Sequence, residues 1–274
     1  IGHIKKYRFK LIMKNILEIE NNHESITRLV MNDEKTGNSL SNEMISKMKV
    51  AIEEIVRDRS TKIVIIAAKG NIFCAGHNLK EMTEARSNND EGKNYFEKLF
   101  NSCSELMQSI VNCPMPVIAE IDGIATAAGC QLVASCDLAI ASESSSFATP
   151  GVNLGLFCST PMVALSRNVN KKDAMKMLLT GEMIDSKEAK RISLINDYFS
   201  AETLSEEVLA LAKKIASKSS ETVKIGKSAF YKQAELSLSE AYKYTSEVMT
   251  KNIMKDDAKE GIESFLEKRN PNWD

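Results

Sequence analysis

The first periodic segments of the chain alternate apolar and polar residues. Residues 15–20 and 25–31 follow this alternation, which predicts the two strands of a β-hairpin. A helix is predicted next, from Ser41 as its N-cap to about Arg57, because apolar residues recur there with helical spacing. Residues 62–68 then form a continuous apolar run, which predicts a strand buried on both faces.

A polar and glycine-containing segment, residues 69–82, follows this buried strand. In open α/β sheets, ligands are bound at the C-terminal ends of such strands, so the segment is a candidate binding loop. Residues 96–110 carry apolar side chains at helical spacing and predict a long amphipathic helix that ends before Pro114.

The segment from residue 123 to residue 132 is built almost entirely of small residues. A short apolar run, residues 116–119, precedes it and predicts a strand. A helix that begins near Ala127 or Ala128 would start with amide N–H groups that have no intrahelical partner and carry partial positive charge. The small side chains let a ligand approach the backbone closely. The segment is therefore a candidate oxyanion site, provided that a second donor meets it.

The remainder of the chain is mostly helical. A strand is predicted at residues 137–141 and another at 194–199, with helices between them. From residue 204 onward the predicted helices are 204–218, 221–236, 239–252 and 256–268. We expect an α/β core over residues 13–200 and a helical region over residues 201–274. Residues 1–12 are basic and are excluded from the fold prediction as a probable expression remnant, with a weak organelle-targeting segment as the alternative.

The overall composition is that of a globular protein. Of the 274 residues, 43% are hydrophobic and 27% are charged, and the formal net charge is −1. This charge gives no global attraction to nucleic acid or to an acidic membrane surface. Residues 144–166 carry no charge, but prolines and glycines interrupt them, so they predict a buried loop and a helix start and no membrane-spanning helix.

Cysteine and histidine spacing argues against a metal centre. None of the six cysteines has Cys-x-x-Cys spacing, and no two of the three histidines have helical ligand spacing. Buried, reduced thiols in a cytoplasmic compartment are the favoured interpretation, with an organelle matrix as the alternative in a eukaryote.

Several motifs, in this order and spacing, resemble the enoyl-CoA hydratase/isomerase (crotonase) superfamily. The resemblance runs from about Ile16 to Trp273, nearly the whole chain. The motifs are Phe73-Cys74-Ala75-Gly76-His77-Asn78-Leu79, Asp122-Gly123 to Cys130-Gln131-Leu132, Cys136-Asp137-Leu138-Ala139-Ile140-Ala141, Asn153-Leu154-Gly155, Leu179-Thr180-Gly181-Glu182 with Ser186 to Ala189, and Glu260-Gly261-Ile262 to Lys268-Arg269.

The resemblance implies a fold, a ligand and an assembly. The implied fold class is α/β, with a spiral core of ββα units and a C-terminal α-helical trimerisation region. The implied ligand is an acyl-CoA thioester, with no cofactor beyond the coenzyme A of that substrate. The implied assembly is a homotrimer or a dimer of trimers.

The resemblance also assigns binding roles to individual positions. It implies an oxyanion hole made by the backbone N–H groups of His77 and Ala128, which supplies the second donor. Two such donors in a dry pocket stabilise a thioester enolate, and one is typically worth about 3 kcal/mol of barrier. Phe265 and Lys268 match positions that reach the coenzyme A of a neighbouring subunit, although a core position and a solvated helix end are equally plausible for them. The implied adenine and substrate contacts come from the backbone near Cys74, Ala75, Gly76 and Asn78.

The chain departs from the family where acid–base chemistry is expected. Hydratases of the family use two glutamates, and the matching positions hold Gln131 and Gly151. A further aspartate of the dienoyl isomerases falls at Ser159. Glutamine resembles glutamate in shape but exchanges no proton near neutral pH. The usual hydratase or isomerase mechanism is therefore expected to be impaired or absent, as in a divergent hydratase-domain-containing subgroup that lacks the same glutamates.

Other candidate groups have competing structural interpretations. The His77 imidazole could carry a proton, but its backbone amide is the stronger candidate. Cys158 is expected to line the acyl pocket as a core residue more than to act as a nucleophile. Asp137 is expected to accept hydrogen bonds from loop backbone. Glu120 and Glu143 lie near the motifs in sequence, but sequence alone does not place them in the pocket.

Two functions remain open at this point. The first is an enzyme of acyl-CoA metabolism that stabilises a thioester enolate, with hydration or double-bond isomerisation as the family default and decarboxylation or thioester cleavage as further options. The second is a non-catalytic acyl-CoA-binding or regulatory protein. A Rossmann oxidoreductase is disfavoured because no Gly-x-Gly-x-x-Gly follows a strand, and a serine peptidase because no Ser/His/Asp set accompanies His77.

Overall fold

A computed structural model describes residues 16–23, 25–58 and 60–273 of the chain. The segment 1–12, which was set apart above, lies outside the described residues.

The strands are short, and all of them lie in the first 199 residues. They are β1 (Leu17–His23), β2 (Ile26–Met31), β3 (Ile63–Ala68), β4 (Ile72–Cys74), β5 (Val117–Ile121), β6 (Ile124–Thr126), β7 (Leu138–Ser142), β8 (Ser146–Ala148), β9 (Ile184–Asp185) and β10 (Asp197–Phe199).

Helices cover the outside of the strands and form the whole C-terminal part. They are α1 (Asn42–Arg57), α2 (Leu79–Ala85), α3 (Lys93–Val111), α4 (Ala128–Ser135), α5 (Ser159–Asn168), α6 (Lys171–Thr180), α7 (Ser186–Arg191), α8 (Ala201–Ala216), α9 (Ser220–Ala234), α10 (Leu238–Ile253) and α11 (Asp256–Glu267). A 3-10 turn spans Pro150–Leu154.

The strands form two sheets. The larger sheet has six strands in the order β1-β2-β3-β5-β7-β10, and all its pairs are parallel except the β1–β2 hairpin. The smaller sheet has four strands in the order β4-β6-β8-β9. The chain passes directly from the larger to the smaller sheet three times, at β3–β4, β5–β6 and β7–β8. This alternation is the spiral of ββα units that the resemblance implies.

The larger sheet is buried on both faces, as the continuous apolar run predicts. Along β3, Val64 and Ile66 belong to the main core with α1 and α3, whereas Ile63 and Ile65 face Leu204 and its neighbours on α8. Alternate strand residues point to opposite faces, so a strand between two helical layers needs apolar side chains at every position. Helix α8 therefore belongs to the α/β core by its packing.

A buried polar cluster attaches α9 to the core. The Asp137 carboxylate, at the start of β7, accepts hydrogen bonds from the Val117 amide (2.7 Å), the Lys227 ammonium (2.6 Å) and the Tyr231 hydroxyl (2.8 Å). Lys227 also donates to the carbonyl oxygens of Ile110 and Met115. We call Asp137, Lys227 and Tyr231 the Asp137 anchor. The carboxylate accepts a backbone amide, but this amide belongs to strand β5 and not to a loop as expected, and in addition the carboxylate binds helix α9.

Two sequence predictions need correction. The strand predicted at residues 194–199 is three residues long, because residues 192–196 form a turn against α7. The segment 69–82, predicted as a loop, contains β4 and the beginning of α2. Asn78 starts α2 by accepting hydrogen bonds from the amides of Lys80 and Glu81.

Candidate functional site

The first part of the site is the loop that connects β4 to α2, residues 74–78. Its backbone is held against residues 37–40 by two hydrogen bonds, from the Ala75 amide to the Gly37 carbonyl (2.9 Å) and from the Leu40 amide to the Gly76 carbonyl (2.7 Å). Gly76 has a φ of 91°, which residues with a side chain rarely adopt. Backbone hydrogen bonds and one glycine therefore help to fix the conformation of this loop.

The second part of the site is the start of α4. Ala127 has an unusual backbone conformation (φ 51°, ψ −116°), and its amide donates to the Ala148 carbonyl on β8 (2.9 Å). Ala128 is the first residue of the helix, so its amide has no intrahelical acceptor. A non-glycine residue in this conformation costs on the order of 1–3 kcal/mol, and such residues cluster at functional sites. The strained residue stands at the junction where β6 ends and α4 begins.

The two parts touch each other through their backbones. A methyl group on Gly76 would lie 3.2 Å from the amide nitrogen of Ala128, and one on Gly129 would lie 2.1 Å from the Cys74 carbonyl oxygen. The Thr126 hydroxyl adds a hydrogen bond to the Ala75 carbonyl (3.1 Å). We call residues 74–78 and 127–129 the backbone cradle. Its glycines bring the loop that carries His77 to the N-terminus of α4.

The His77 side chain is half-buried and uncharged. Its ring packs edge-on against Phe100, with 5.4 Å between centroids. Burial lowers the pKa of His77 to about 4, so the imidazole is neutral at pH 7. Its Nε2 atom is buried and has no hydrogen-bond partner among the described residues. The imidazole in the cradle is therefore uncharged at pH 7.

Gln131 lies one turn into α4 and is buried. Its Oε1 atom finds no hydrogen-bond partner within the described part of the chain. The backbone amide of Gln131 bonds to the Ala127 carbonyl (3.0 Å), so the residue is fixed in the first turn next to the cradle. The side-chain amide of Gln131 can donate and accept hydrogen bonds, but it does not titrate.

Position 151 is closed to any side chain in this conformation. A methyl group on Gly151 would lie 2.5 Å from the Leu156 carbonyl oxygen and 2.8 Å from the Cys158 sulfur. Cys158 is buried, and burial raises the pKa of its thiol, although a hydrogen bond from the Gly151 backbone acts in the opposite direction. The thiol fills the volume in which a longer side chain at position 151 would begin. Cys158 is therefore a neutral packing residue.

Sequence reasoning missed one buried polar residue, Thr149. It follows β8 directly, its side chain is fully buried, and its hydroxyl has no partner among the residues that the structure describes. The neighbouring Ala148 is the residue whose carbonyl bonds to Ala127. No sequence pattern distinguishes a threonine before Pro-Gly as a functional residue. Thr149 is recognised only from its burial and from the lack of a partner for its hydroxyl among the described residues.

The remaining candidate carboxylates serve other parts of the fold. Glu120 lies on β5 and binds Arg28 of β2 (2.6 Å). Burial raises the pKa of Glu120, and the Arg28 charge opposes that shift. Asp137 is in the anchor described above. Glu143 is exposed, as is Ser159, whose hydroxyl donates to the Phe157 carbonyl (3.3 Å). The bonded partners of Glu120, Asp137 and Ser159 all lie outside the cradle.

The other predicted binding residues are spread over the molecule. Ala75, Gly76 and Asn78 lie in the cradle loop, whereas the Cys74 thiol is fully buried, which raises its pKa to about 12 and leaves only its backbone for a ligand. Phe265 and Lys268 lie at the end of α11, which packs on α9 and α10. Phe265 is 81% exposed, so its interpretation as a core residue is wrong for this chain.

In residues 16–23, 25–58 and 60–273, no three His, Cys, Asp or Glu side chains lie close enough to hold a metal ion. Over the same residues, no helix has the length and apolar character needed to cross a membrane.

Comparison with known proteins identifies the family. A family model described as enoyl-CoA hydratase/isomerase matches residues 21–274. The chain is 46% identical over 257 residues to a Xenopus laevis protein named enoyl-CoA hydratase domain-containing protein 3, mitochondrial, covering 94% of this chain and 86% of that one.

Two solved structures have the same fold. The human enoyl coenzyme A hydratase domain-containing protein 3 is 44% identical, with a TM-score of 0.89 over 94% of this chain and 100% of that one. An enoyl-CoA hydratase of Mycobacterium smegmatis is 43% identical, with a TM-score of 0.90 over 94% of this chain and 98% of that one. The chain therefore belongs to the enoyl-CoA hydratase/isomerase family and has the crotonase fold.

Proposed function

We propose that this chain binds an acyl-CoA thioester and holds the thioester oxygen between the backbone amides of His77 and Ala128. The observation that carries the proposal is the approach of Gly76 to Ala128, where a methyl group would lie only 3.2 Å from the amide nitrogen. Fixed amides in a buried site stabilise the negative charge of an enolate because they need no reorganisation when that charge develops. The reaction class is that of the enoyl-CoA hydratase/isomerase family, within fatty-acid and acyl-CoA metabolism.

Binding and polarisation are the better supported part of this function. Neutral Gln131 and closed Gly151 supply no carboxylate at the positions that split water in the family. A hydratase reaction would therefore have to proceed without the usual pair of general acid and base, which is worth about 10²- to 10⁴-fold in rate for each proton transfer.

The closure of position 151 favours a second candidate function. With the Cys158 sulfur and the Leu156 carbonyl in its side-chain volume, the site is suited to bind an acyl-CoA without converting it. A non-catalytic acyl-CoA-binding or regulatory protein would retain the backbone cradle and dispense with the carboxylates, which is the combination found here.

The assembly proposed for the chain is a trimer or a dimer of trimers. The C-terminal helices expose large apolar side chains, which monomeric proteins rarely do over a contiguous area. They are Phe230, Leu238, Tyr242, Met249, Ile253, Met254, Phe265 and Leu266. In such an assembly Phe265 and Lys268 would contact the coenzyme A of a neighbouring subunit. By analogy with the relatives named mitochondrial, we propose an organelle matrix as the compartment.

Calorimetric titration with crotonyl-CoA, paired with a hydration assay, tests the proposal. Binding with turnover that is lost in Gln131→Ala supports the enzyme, and binding without turnover supports the alternative. Gly76→Ala is expected to weaken binding by at least about five-fold, because it loses the φ of 91° and displaces the loop from Ala128. Gly226→Ala, in open space on α9, is the matched control and should bind normally. Absence of binding by the unmodified protein overturns both functions.

A further inference from the structure

The edge of the larger sheet has a second concave surface, made of residues other than those of the candidate site. A cavity of about 400 Å³ lies between β1 and the C-terminal half of α1, within the range of about 300–1,000 Å³ that is usual for binding clefts. Its walls combine apolar side chains with carboxylates. We call it the β1 groove, and its lining includes Ile19, Asn21, Ala51, Glu54, Ile55 and Asp58.

Strand β1 has an open edge beside this groove. It is the outermost strand of the six-stranded sheet, and among the described residues it pairs with β2 only. The Asn32 amide donates to the Ile16 carbonyl (2.7 Å), which marks a hydrogen-bonded pair at that end of the hairpin. Bonded and non-bonded pairs alternate along antiparallel strands, so the backbones of Glu18 and Glu20 bond to β2, whereas Ile19 turns its N–H and C=O groups outward. Such edge groups are a template for a further strand.

The side chains along β1 define what a further strand would contact. Leu17 packs in the main core with α1, so Ile19, two residues later, faces the same side of the sheet. Ile19 is 38% exposed, which leaves an apolar surface at the rim of the groove. Glu18 and Glu20 point to the opposite face, where both form ion pairs within the chain. A strand added at this edge would place alternate side chains in the groove and beside these two glutamates.

The β1 groove is acidic. None of its lining residues in the described chain is lysine, arginine or histidine. Glu54 and Asp58 form no ion pair within that part of the chain, where the Asp58 carboxylate accepts hydrogen bonds from Ser60 alone. Both lie at the C-terminal end of α1, where the helix dipole adds partial negative charge. A second copy of this chain, paired through β1, would bring its own Glu18 and Glu20 against these glutamates. The charge therefore favours a cationic occupant over a second copy.

We propose that the β1 groove binds an extended basic segment of a partner protein, which pairs with β1 as an added strand. Main-chain hydrogen bonds to Ile19 hold the segment, and the groove selects its side chains, as in other complexes formed by strand addition. Lysine or arginine residues of the segment bind the carboxylates of Glu54 and Asp58, and its apolar residues pack on Ile19 and Ile55. This contact is independent of acyl-CoA binding.

Fluorescence anisotropy with a labelled peptide tests the inference on the full chain. The probe is a synthetic peptide of about ten residues in which lysine and valine alternate. We expect saturable binding that weakens at least about ten-fold in the double variant Glu54→Gln with Asp58→Asn, because charge-assisted contacts are lost. A peptide of the same sequence with all its amides N-methylated keeps its charge but donates no main-chain hydrogen bond, so it should also bind at least about ten-fold more weakly.

Glu206→Gln with Glu207→Gln is the matched control. It removes two exposed carboxylates on α8, and it should bind the peptide as the unmodified chain does. The inference is overturned if the full chain shows no saturable binding, or if binding is unchanged in the Glu54→Gln, Asp58→Asn variant or with the N-methylated peptide. Peptide binding that appears only after deletion of residues 1–12 assigns the groove to the chain's own N-terminal residues and overturns it too. A lower oligomer mass of the same double variant in sedimentation velocity assigns the groove to a second copy, with the same consequence.

Discussion

The Asp137 anchor and the candidate site treat buried polar atoms in opposite ways. In the anchor, both carboxylate oxygens of Asp137 are bonded, and Lys227 donates to three acceptors. At the site, side-chain atoms of His77, Gln131 and Thr149 are buried and have no hydrogen-bond partner in the part of the chain that the structure describes. The anchor has the pattern of a structural cluster, because a fully satisfied network holds one arrangement. The site has the pattern of a binding surface whose partners come from outside the chain.

The same contrast separates the two halves of the site. The cradle is fixed by backbone hydrogen bonds and by glycines that tolerate no side chain. The positions that should carry acid–base chemistry, 131 and 151, hold an amide side chain and a glycine whose side-chain volume is closed. Packing thus fixes the backbone that would orient a thioester. The residues at positions 131 and 151 cannot transfer protons.

Removal of Lys227 should have the largest effect on stability. Lys227→Met leaves the Asp137 carboxylate and two backbone carbonyls without their buried cation, and we expect the free energy of unfolding to fall by about 3–5 kcal/mol. Urea unfolding measures the change. Lys243→Met, at an exposed position on α10, should change it by less than about 0.5 kcal/mol. An equally small loss in both variants would contradict the structural role of the anchor.

Adding a side chain at the closest contact of the cradle should lower the free energy of unfolding slightly less than Lys227→Met does. In Gly129→Ala the new methyl group meets the Cys74 carbonyl oxygen at 2.1 Å, so two backbone segments must separate. We expect a loss of about 3 kcal/mol in urea unfolding. Gly226→Ala has open space in a helix and should instead gain about 0.5–1 kcal/mol. If Gly129→Ala were as stable as the unmodified protein, the cradle would be more adaptable than its packing indicates.

Lowering the pH should reduce the free energy of unfolding, because the imidazole of His77 is neutral in the folded chain. Its pKa is about 4 in the folded chain and near 6.5 when unfolded, so the unfolded state binds the proton first as the pH falls. The stability contributed by neutral His77 is complete above pH 6.5 and is lost progressively toward pH 4. We expect unmodified protein to lose about 2 kcal/mol more than His77→Gln between pH 7.5 and pH 4.5, measured by urea unfolding at each pH. Parallel pH profiles would show that His77 is solvated.

The smallest expected change in the free energy of unfolding comes from removing one hydroxyl group, either from the Asp137 anchor or from the site. Tyr231→Phe removes a donor from Asp137 and should lower the free energy of unfolding by about 1 kcal/mol. Thr149→Val removes an unpartnered hydroxyl and should leave the free energy of unfolding unchanged or slightly raised. Thermal unfolding of the ligand-free proteins distinguishes the two. A substantial loss in Thr149→Val would mean that its hydroxyl is already bonded within the chain.

The parts that could be predicted from sequence are those encoded by local pattern. The run Ile63–Ala68 indicated a strand buried on both faces, and helix α1 followed from apolar spacing and the Ser41 cap. The two loops of the cradle were found through small residues and motif spacing. The smaller sheet could not be predicted, because strands such as Ile72–Cys74 and Ile124–Thr126 are too short to show a period.

The site features that were missed depend on how short loops fold back on themselves. The closure of Gly151 comes from a carbonyl five residues later and a thiol seven residues later, after a tight turn. Thr149 became a candidate only when its burial and lack of a partner were known. Neither property has a local sequence signature, since each depends on how loops fold back on themselves.

The contact at Gly151 also determines what a larger residue at this position would require of the surrounding chain. In Gly151→Glu, the β-carbon of the new side chain would overlap the Leu156 carbonyl oxygen and the Cys158 sulfur. Trimming Cys158 removes only one obstacle, because the other is main chain. A side chain at position 151 therefore requires a new path for the turn after residue 151 in addition to a change at Cys158. Several simultaneous changes thus separate this chain from a variant that carries a carboxylate at position 151.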